Sequence, residues 1–158
     1  MLNDITKIDT NFISGNSTPW IPFAPVNDKI MLKYLKIDPA RGEVTMLMKV
    51  PAGEGAHKHR HTGIVTVYTI AGSWQYVGHN WVSKAGDYVF ETAGSTHSFT
   101  TLGEKETVAY VMVQGELQFL DGDDKVVHFE DWRTALIRYK TYCEANRIPE
   151  INLTTYEI

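Results

Sequence analysis

From position 29 to position 129 the chain consists of short runs rich in β-branched and aromatic residues, separated by breaks that contain glycine. Such runs favour β-strands, because branched and aromatic side chains pack well on a pleated sheet. The predicted strands are 29–37, 43–50, 64–70, 73–77, 87–90, 107–113, 116–120 and 125–129. Many short strands at regular spacing are typical of an antiparallel sandwich or barrel, so the predicted fold is all-β.

The two ends of the chain differ from this central part. Three prolines interrupt a polar N-terminal segment, which predicts an irregular arm on the outside of the fold. Near the C-terminus, apolar residues recur with the spacing of one face of an amphipathic helix. They are Trp132, Ala135, Leu136, Tyr139 and Cys143. A chain of 158 residues has the size of one domain, with a predicted arm at 1–28, a barrel at 29–129 and a helix at 131–146.

Composition limits the classes of partner. The net charge of −4 gives no electrostatic reason to bind nucleic acid or an anionic membrane. No segment approaches the length of apolar sequence that spans a bilayer, and residues 1–7 lack the apolar core of a secretory signal. A single cysteine, Cys143, excludes an internal disulfide framework and fits a reducing compartment. We therefore expect a cytoplasmic protein.

Three of the six histidines lie close together, at His57, His59 and His61. Side chains alternate between the two faces of a strand, so on a regular strand all three would point the same way. Two imidazoles separated by one residue are suitable ligands for a divalent metal such as Zn, Fe, Ni or Cu. Spacing within this cluster leaves open whether the pair is His57 with His59 or His59 with His61, and a solvated polar face is the other interpretation.

The wider spacing of glycines and histidines resembles the two sequence motifs of the cupin superfamily. The first motif would comprise Gly53, His59-Arg60-His61 and Gly72, and the second Gly86, Thr92-Ala93-Gly94 and His97. The resemblance implies a double-stranded β-helix, or jelly-roll barrel, that holds a metal ion. It also implies the ligands, because only the pair His59 and His61 lies at the right distance from Gly53, and His97 would be the third.

One departure from the cupin pattern concerns the metal ligands. Cupins usually carry a glutamate ligand about four residues after the second histidine of the first motif, and here that position is Val65. The sequence thus predicts a site of three neutral imidazoles. Such a site leaves the full charge of a divalent ion available, so we expect it to favour an anionic, chelating ligand. Open coordination positions would remain for water, substrate or dioxygen.

Within the cupins, the chain is most similar to small three-histidine dioxygenases that cleave C–C bonds, the dihydroxyacetophenone and acetylacetone dioxygenases. The similar segments are His59-Arg60-His61, Pro51-Ala52-Gly53, Gly72-Ser73-Trp74-Gln75-Tyr76, His79-Asn80-Trp81-Val82, Tyr88-Val89-Phe90-Glu91, Gly94-Ser95-Thr96-His97 and Leu117-Gln118-Phe119-Leu120-Asp121. This resemblance implies Fe(II) on three histidines, with dioxygen and a small β-diketone or hydroxyketone as substrates. Zn or Ni could replace iron in a preparation. By the same resemblance we expect a homodimer or homotetramer.

Four further residues are candidates for the surroundings of the metal. Glu91 could accept a hydrogen bond from the ring N–H of a ligand histidine and so orient it. Phe99 has the same parity as His97 and is a candidate pocket wall, as is Tyr76, while His79 could contact substrate. Two other functions remain open from the sequence, a zinc-type hydrolase or isomerase and a non-catalytic, sensor-like cupin.

Overall fold

The computed structural model describes residues 12–154. Twelve strands precede one helix in the part of the chain that is described. The elements are β1 Ile21–Phe23, β2 Asn27–Asp38, β3 Glu43–Val50, β4 Gly55–His61, β5 Val65–Ala71, β6 Ser73–Tyr76, β7 Ser83–Lys84, β8 Tyr88–Glu91, β9 Thr96–Thr101, β10 Thr107–Gln114, β11 Leu117–Leu120, β12 Val126–Glu130 and α1 Trp132–Asn146. The structure confirms the predicted all-β fold with a C-terminal helix.

The strands form two six-stranded antiparallel sheets. One sheet has the order β1-β2-β3-β10-β5-β8, and the other has the order β12-β11-β4-β9-β6-β7. Neighbours in each sheet are often distant in sequence, so the chain passes repeatedly from one sheet to the other. This double-sheet architecture is the one that the resemblance to the cupin motifs implied.

The core lies between the inner faces of the sheets. Residues of β10 alternate between buried and more exposed positions, and its buried members include Ala109, Val111 and Val113. The same alternation in β5 buries Val65 and Val67. Period-two alternation places one set of side chains on the inner face of a sheet, so the buried residues of both sheets form one continuous apolar core.

The helix begins where the sequence placed it. The Asp131 side chain accepts hydrogen bonds from the backbone N–H groups of Arg133 and Thr134, and the Thr134 hydroxyl accepts one from the Asp131 N–H. These reciprocal bonds form a capping box, which satisfies N–H groups that the first helical turn cannot pair internally.

No helix in residues 12–154 is long and apolar enough to cross a membrane.

A buried ion pair attaches this helix to the sheets. The Arg138 guanidinium on α1 donates hydrogen bonds to both carboxylate oxygens of Glu130 at the end of β12. It also donates to the hydroxyl of Tyr34 on β2 and to the backbone oxygen of Ala24. One side chain therefore joins the helix, both sheets and the segment that leads from β1 to β2.

Some predicted elements differ from those in the structure. The expected irregular arm contains strand β1, which pairs with β2 in spite of Pro22. An edge position explains this, because β1 is the first strand of its sheet and one side of it needs no partner. Residues 1–11 of the arm lie outside the described residues. The list of predicted strands also lacked β4, β7 and β9.

Candidate metal centre

Strand β4 brings two histidines to the inner face of its sheet. His59 is 5% exposed and His61 is 3% exposed, whereas the side chain of His57 lies in solvent. The expectation that all three histidines share a face is wrong, because the pairing of β4 with β9 shifts register between Ala56 and His59. A bulge of this kind interrupts the alternation of faces. The pair chosen from the glycine spacing, His59 and His61, is the buried pair.

Strand β9 brings His97 to the same place. His97 lies directly opposite His59 in the ladder between β9 and β4, and opposed residues of antiparallel strands point to the same side. The Tyr76 ring on β6 stacks on the His97 ring with centroids 3.6 Å apart and an interplanar angle of 14°. Stacking against a buried aromatic ring fixes the orientation of the imidazole.

The three imidazoles form one compact cluster. One potential ligand atom from each of His59, His61 and His97 lies within 4.8 Å of the others. The Nε2 atoms of His61 and His97 are 2.9 Å apart. His59 donates a hydrogen bond from Nδ1 to the backbone oxygen of His57, at 2.8 Å. Because a carbonyl oxygen can only accept, Nδ1 of His59 carries the hydrogen, and Nε2 keeps its lone pair.

A carboxylate lies beside the three imidazoles, which are the only ligands that the sequence predicted. Glu91 is 5% exposed, and its Oε2 lies 3.2 Å from Nε2 of His61 and 3.3 Å from Nε2 of His97. The Tyr76 hydroxyl donates a hydrogen bond to the other oxygen, Oε1. The three imidazoles predicted from the motifs come together, and a carboxylate that the motifs did not assign to the site lies beside them. The fold explains its position, since Glu91 on β8 lies directly opposite Val65 on β5.

Burial determines the charge of the histidines in the absence of a metal. It lowers the pKa of His59 to about 4 and that of His61 to about 4, because a charged imidazole is poorly solvated in the core. Burial by itself would raise the pKa of Glu91, but the adjacent imidazoles of His97 and His61 and the hydrogen bond from Tyr76 lower it overall. At neutral pH the imidazoles of His59 and His61 are therefore uncharged, next to an ionised carboxylate.

Two spaces meet at this cluster. An apolar cavity of about 70 Å³ lies inside the sandwich, and His59, His61, Val65 and Phe99 are among its lining residues. An open groove of about 560 Å³ lies outside it, and His97 is one of its lining residues. Tyr76 and Glu91 line both spaces. The cluster thus lies between a small apolar cavity and a groove that is open to solvent.

The structure places the other candidate residues at different distances from the cluster. Phe99 lies opposite Tyr76 in the ladder between β9 and β6 and lines the cavity, as its parity suggested. His79 contacts the rings of Tyr76 and Trp81, with centroids 5.6 and 5.5 Å away, and lines the groove. It belongs to the groove and is no member of the close histidine group.

Sequence reasoning missed two aromatic neighbours of the site. Phe119 on β11 lies opposite His59 in the ladder, with ring centroids 5.3 Å apart. Trp81 follows β6 and contacts both Tyr76 and His79. The polar Gln118 separates the apolar Leu117 and Phe119 in the sequence, and this short alternation was the available signal for the direction of Phe119. No signal in the sequence indicated that Trp81, in an irregular segment, would turn back on Tyr76.

These groups fit a divalent transition metal. Imidazole nitrogen and carboxylate oxygen are the donors that Zn, Fe, Ni and Mn accept. Oε2 of Glu91 is buried and makes no hydrogen bond. A buried, ionised oxygen without a hydrogen-bond partner is costly, and a cation adjacent to it removes that cost. The structure brings together the three histidines predicted from the motifs, and that they hold a metal stays a prediction.

Comparison with solved structures shows extensive similarity. An RmlC-like cupin protein from Ralstonia eutropha JMP134 is 43% identical, with a TM-score of 0.92 over 99% of this chain and 100% of that chain. A protein of unknown function with a cupin-like fold from the same organism is 21% identical, with a TM-score of 0.85 over 96% of each chain. An acetylacetone dioxygenase from Acinetobacter johnsonii is 24% identical, with a TM-score of 0.73 over 84% of this chain and 91% of that chain.

The last two similarities show the fold alone, because their identities are low. No curated protein matches the sequence at a significant level. The family model described as the ChrR cupin-like domain matches residues 10–118, which is more than half of the chain. Together with the similarity to the RmlC-like cupin over nearly the whole chain, this match shows that the protein belongs to the ChrR cupin-like family.

Proposed function

We propose that this protein is a metal-dependent dioxygenase that cleaves a C–C bond in a small β-diketone or hydroxyketone. The observation that carries the proposal is the compact group of His59, His61 and His97 beside an apolar cavity and an open groove. The acetylacetone dioxygenase of Acinetobacter johnsonii has the same fold, which supports the choice of substrate class. Non-haem Fe(II) is the proposed ion, held by the three histidines.

Ferrous iron, when bound, would supply the redox chemistry that lets dioxygen react with an organic substrate. The protein's own contribution would be to position the substrate and to exclude water. Aromatic and aliphatic side chains line the inner cavity, among them Val65, Val67 and Phe99. An apolar wall of this kind suits the carbon skeleton of a small ketone, and exclusion of water strengthens electrostatic interactions at the reacting centre.

The hydrogen bonds of the site would hold the donor atoms in one geometry. The carbonyl of His57 fixes the tautomer of His59, and the Tyr76 ring fixes the plane of His97. The Tyr76 hydroxyl donates to Glu91, so one side chain supports two members of the group. Groups fixed before the substrate arrives need little reorganisation when charge develops on substrate oxygen.

Two measurements test the proposal. Protein prepared without added metal is first assayed for bound metals. It is then loaded anaerobically with Fe(II), and oxygen uptake is followed with a panel of β-diketones and hydroxyketones. We expect one metal per chain and oxygen uptake that depends on substrate. Stoichiometric iron without oxygen uptake across the panel would contradict the dioxygenase proposal and favour a non-catalytic metal-binding role.

Single substitutions test the ligands separately. We expect His59→Ala, His61→Ala and His97→Ala each to abolish stoichiometric metal binding, because each removes one of three convergent imidazoles. His57→Ala is the matched control, since its imidazole is exposed and only its backbone oxygen supports the site. Thermal unfolding of the metal-free variants verifies that they are folded. Full metal binding by any of the first three variants would exclude that histidine as a ligand.

A further inference from the structure

We propose that Glu91 is a fourth protein ligand of the metal, and that it supplies from strand β8 the carboxylate that position 65 on β5 lacks. The site would then consist of three histidines and one carboxylate. This inference rests on the metal site of the proposed function, and it is independent of oxygen chemistry. It assigns a role in the inner coordination sphere to a residue that the sequence pattern placed outside the motif ligands.

The sheet register carries the first part of the argument. Val65 and Glu91 are directly opposed in the antiparallel ladder between β5 and β8. Directly opposed residues point to the same face, with Cβ atoms about 5 Å apart. A glutamate side chain is long enough to cover this distance. A carboxylate at position 91 can therefore reach the same corner of the cavity as a carboxylate at position 65, and both residues line that cavity.

The spacing of the donor atoms carries the second part. Two ligand atoms on one metal, each bonded at about 2.0–2.2 Å, are separated by about 3 Å when they occupy neighbouring coordination positions. Oε2 of Glu91 lies 3.2 Å from Nε2 of His61 and 3.3 Å from Nε2 of His97. Those two nitrogens are 2.9 Å apart. The three atoms thus already have the mutual distances of ligands that share one ion.

The direction of approach distinguishes a ligand from an outer carboxylate. A carboxylate that only orients a ligand histidine accepts from the ring nitrogen that points away from the metal. Glu91 instead approaches Nε2 of both His61 and His97, the nitrogens that face each other inside the cluster. Nδ1 of His61, its other ring nitrogen, has no hydrogen-bond partner. Glu91 therefore lies on the ligand side of both imidazoles.

The two oxygens of Glu91 have different environments. Oε1 accepts a hydrogen bond from the Tyr76 hydroxyl, while Oε2 is buried beside the imidazoles of His61 and His97 and makes no hydrogen bond. This arrangement leaves one oxygen free to bind the metal and holds the other away from it. It predicts a carboxylate bound through one oxygen, with Tyr76 as a positioning residue that acts through Glu91.

A fourth, anionic ligand changes which substrates the site would prefer. With three neutral imidazoles the ion keeps both positive charges, whereas Glu91 reduces the charge of the assembly by one unit. An enolate with a single negative charge would then give a neutral complex inside the apolar cavity. The inference therefore narrows the proposed substrate to compounds that chelate as a monoanion.

Cobalt(II) binding in the absence of oxygen and substrate tests this assignment. Metal-free protein is titrated with Co(II) against a chelator, and the visible absorption of the bound ion reports its ligand set. The test variant is Glu91→Gln, which keeps the size of the side chain and an oxygen for Tyr76. We expect Co(II) affinity to fall by more than the roughly 10- to 100-fold that loss of a residue orienting a ligand costs, with a changed absorption spectrum. Unchanged affinity and an unchanged spectrum would overturn the inference.

A transposed pair of substitutions supplies the matched control. Glu91→Val alone should lose affinity as Glu91→Gln does, and Val65→Glu together with Glu91→Val should recover most of it. Recovery would show that the carboxylate acts through its position in the cavity and not through the local sequence of β8. If the double variant does not recover Co(II) affinity, although without metal it unfolds at the same temperature as the unaltered protein, carboxylates at positions 65 and 91 do not reach the same place in the cavity.

A crystal structure of the unaltered protein with Co(II) decides the matter without any variant. A distance of about 2.0–2.2 Å between the ion and Oε2 of Glu91 is expected, whereas more than about 3 Å would exclude direct ligation. These results are separable from those on function. If the unaltered protein takes up oxygen but Glu91 does not contact the metal, only the assignment of Glu91 as a ligand is contradicted. If Glu91→Gln loses cobalt but the unaltered protein takes up no oxygen, only the proposed dioxygenase function is contradicted.

Discussion

A single hydrogen bond decides how His59 can act. Its Nδ1 donates to the carbonyl of His57, so the lone pair of Nε2 faces the cluster. The spacing of glycines and histidines predicted which imidazoles converge, because that spacing reflects local turns and strands. The sequence suggested Glu91 only as a residue that could orient a ligand histidine, and not its position beside Nε2 of His61 and His97. That position depends on the register between β5 and β8, which no local pattern specifies. The sequence therefore predicted which histidines converge, but not which residues face each other across neighbouring strands.

The metal-free protein should lose stability as the pH falls from about 6.5 towards 4. In the folded state the pKa of His59 and that of His61 are lowered to about 4. Between pH 6.5 and 4 these histidines are therefore protonated in the unfolded chain and not in the folded chain. The free energy of unfolding therefore decreases as the pH is lowered, by up to about 3 kcal/mol for each histidine. Urea unfolding at a series of pH values measures this slope.

A matched pair of variants separates this effect from the titration of carboxylates in the same range. In His61→Gln the free energy of unfolding should decrease less between pH 6.5 and 4, because glutamine does not titrate. His57→Gln, altered at an exposed histidine, should keep the slope of the unaltered protein. Equal slopes in the unaltered protein and His61→Gln would show that burial of His61 does not determine the pH dependence.

At the level of elements, prediction succeeded where local chemistry is decisive. The helix was predicted from its apolar stripe, and in the structure the side chain of Asp131 caps its first turn. The list of strands lacked β4 and β9, whose sequences are rich in His, Lys, Arg, Ser and Thr. Residues needed for the site replace the branched apolar residues that usually mark a strand.

Removal of the helix cap should cost measurable stability. Asp131→Ala leaves the N–H groups of Arg133 and Thr134 without their acceptor, so we expect the free energy of unfolding to fall by about 1 kcal/mol. Urea denaturation monitored by circular dichroism measures the change. Asp123→Ala, at an exposed aspartate in the preceding turn, should stay within about 0.5 kcal/mol of the unaltered protein. An equal loss in both variants would contradict a specific capping role.

In the whole molecule, the buried group of Arg138, Glu130 and Tyr34 connects elements that are far apart in sequence. Arg138→Met should lower the free energy of unfolding by about 3–5 kcal/mol, because it removes the arginine from the buried Glu130 carboxylate, which then contacts only His128 and Thr134. Arg138→Met together with Glu130→Met should recover part of that loss, since no uncompensated charge remains. Chemical denaturation of the single and double variants measures both effects.

The exposed ion pair between Lys58 and Asp124 is the comparison for this prediction. It joins strand β4 to the turn between β11 and β12, but it lies in solvent, so Lys58→Met should change stability by less than about 1 kcal/mol. If Arg138→Met has an effect as small as that of Lys58→Met, the buried group does not hold the helix against the sheets.

The contacts between Tyr76 and its aromatic neighbours also give the protein an internal optical probe. Trp74 and Trp81 touch the Tyr76 ring, with centroids 5.1 and 5.5 Å away, and Tyr76 itself stacks on His97. Only the Tyr76 ring thus separates two indoles from His97, a proposed ligand, and a paramagnetic ion such as Co(II) should quench their fluorescence. Because Trp20 and Trp132 pack against cationic side chains elsewhere, their replacement by phenylalanine should leave this quenching intact. Occupancy of the centre could then be followed by light emission alone.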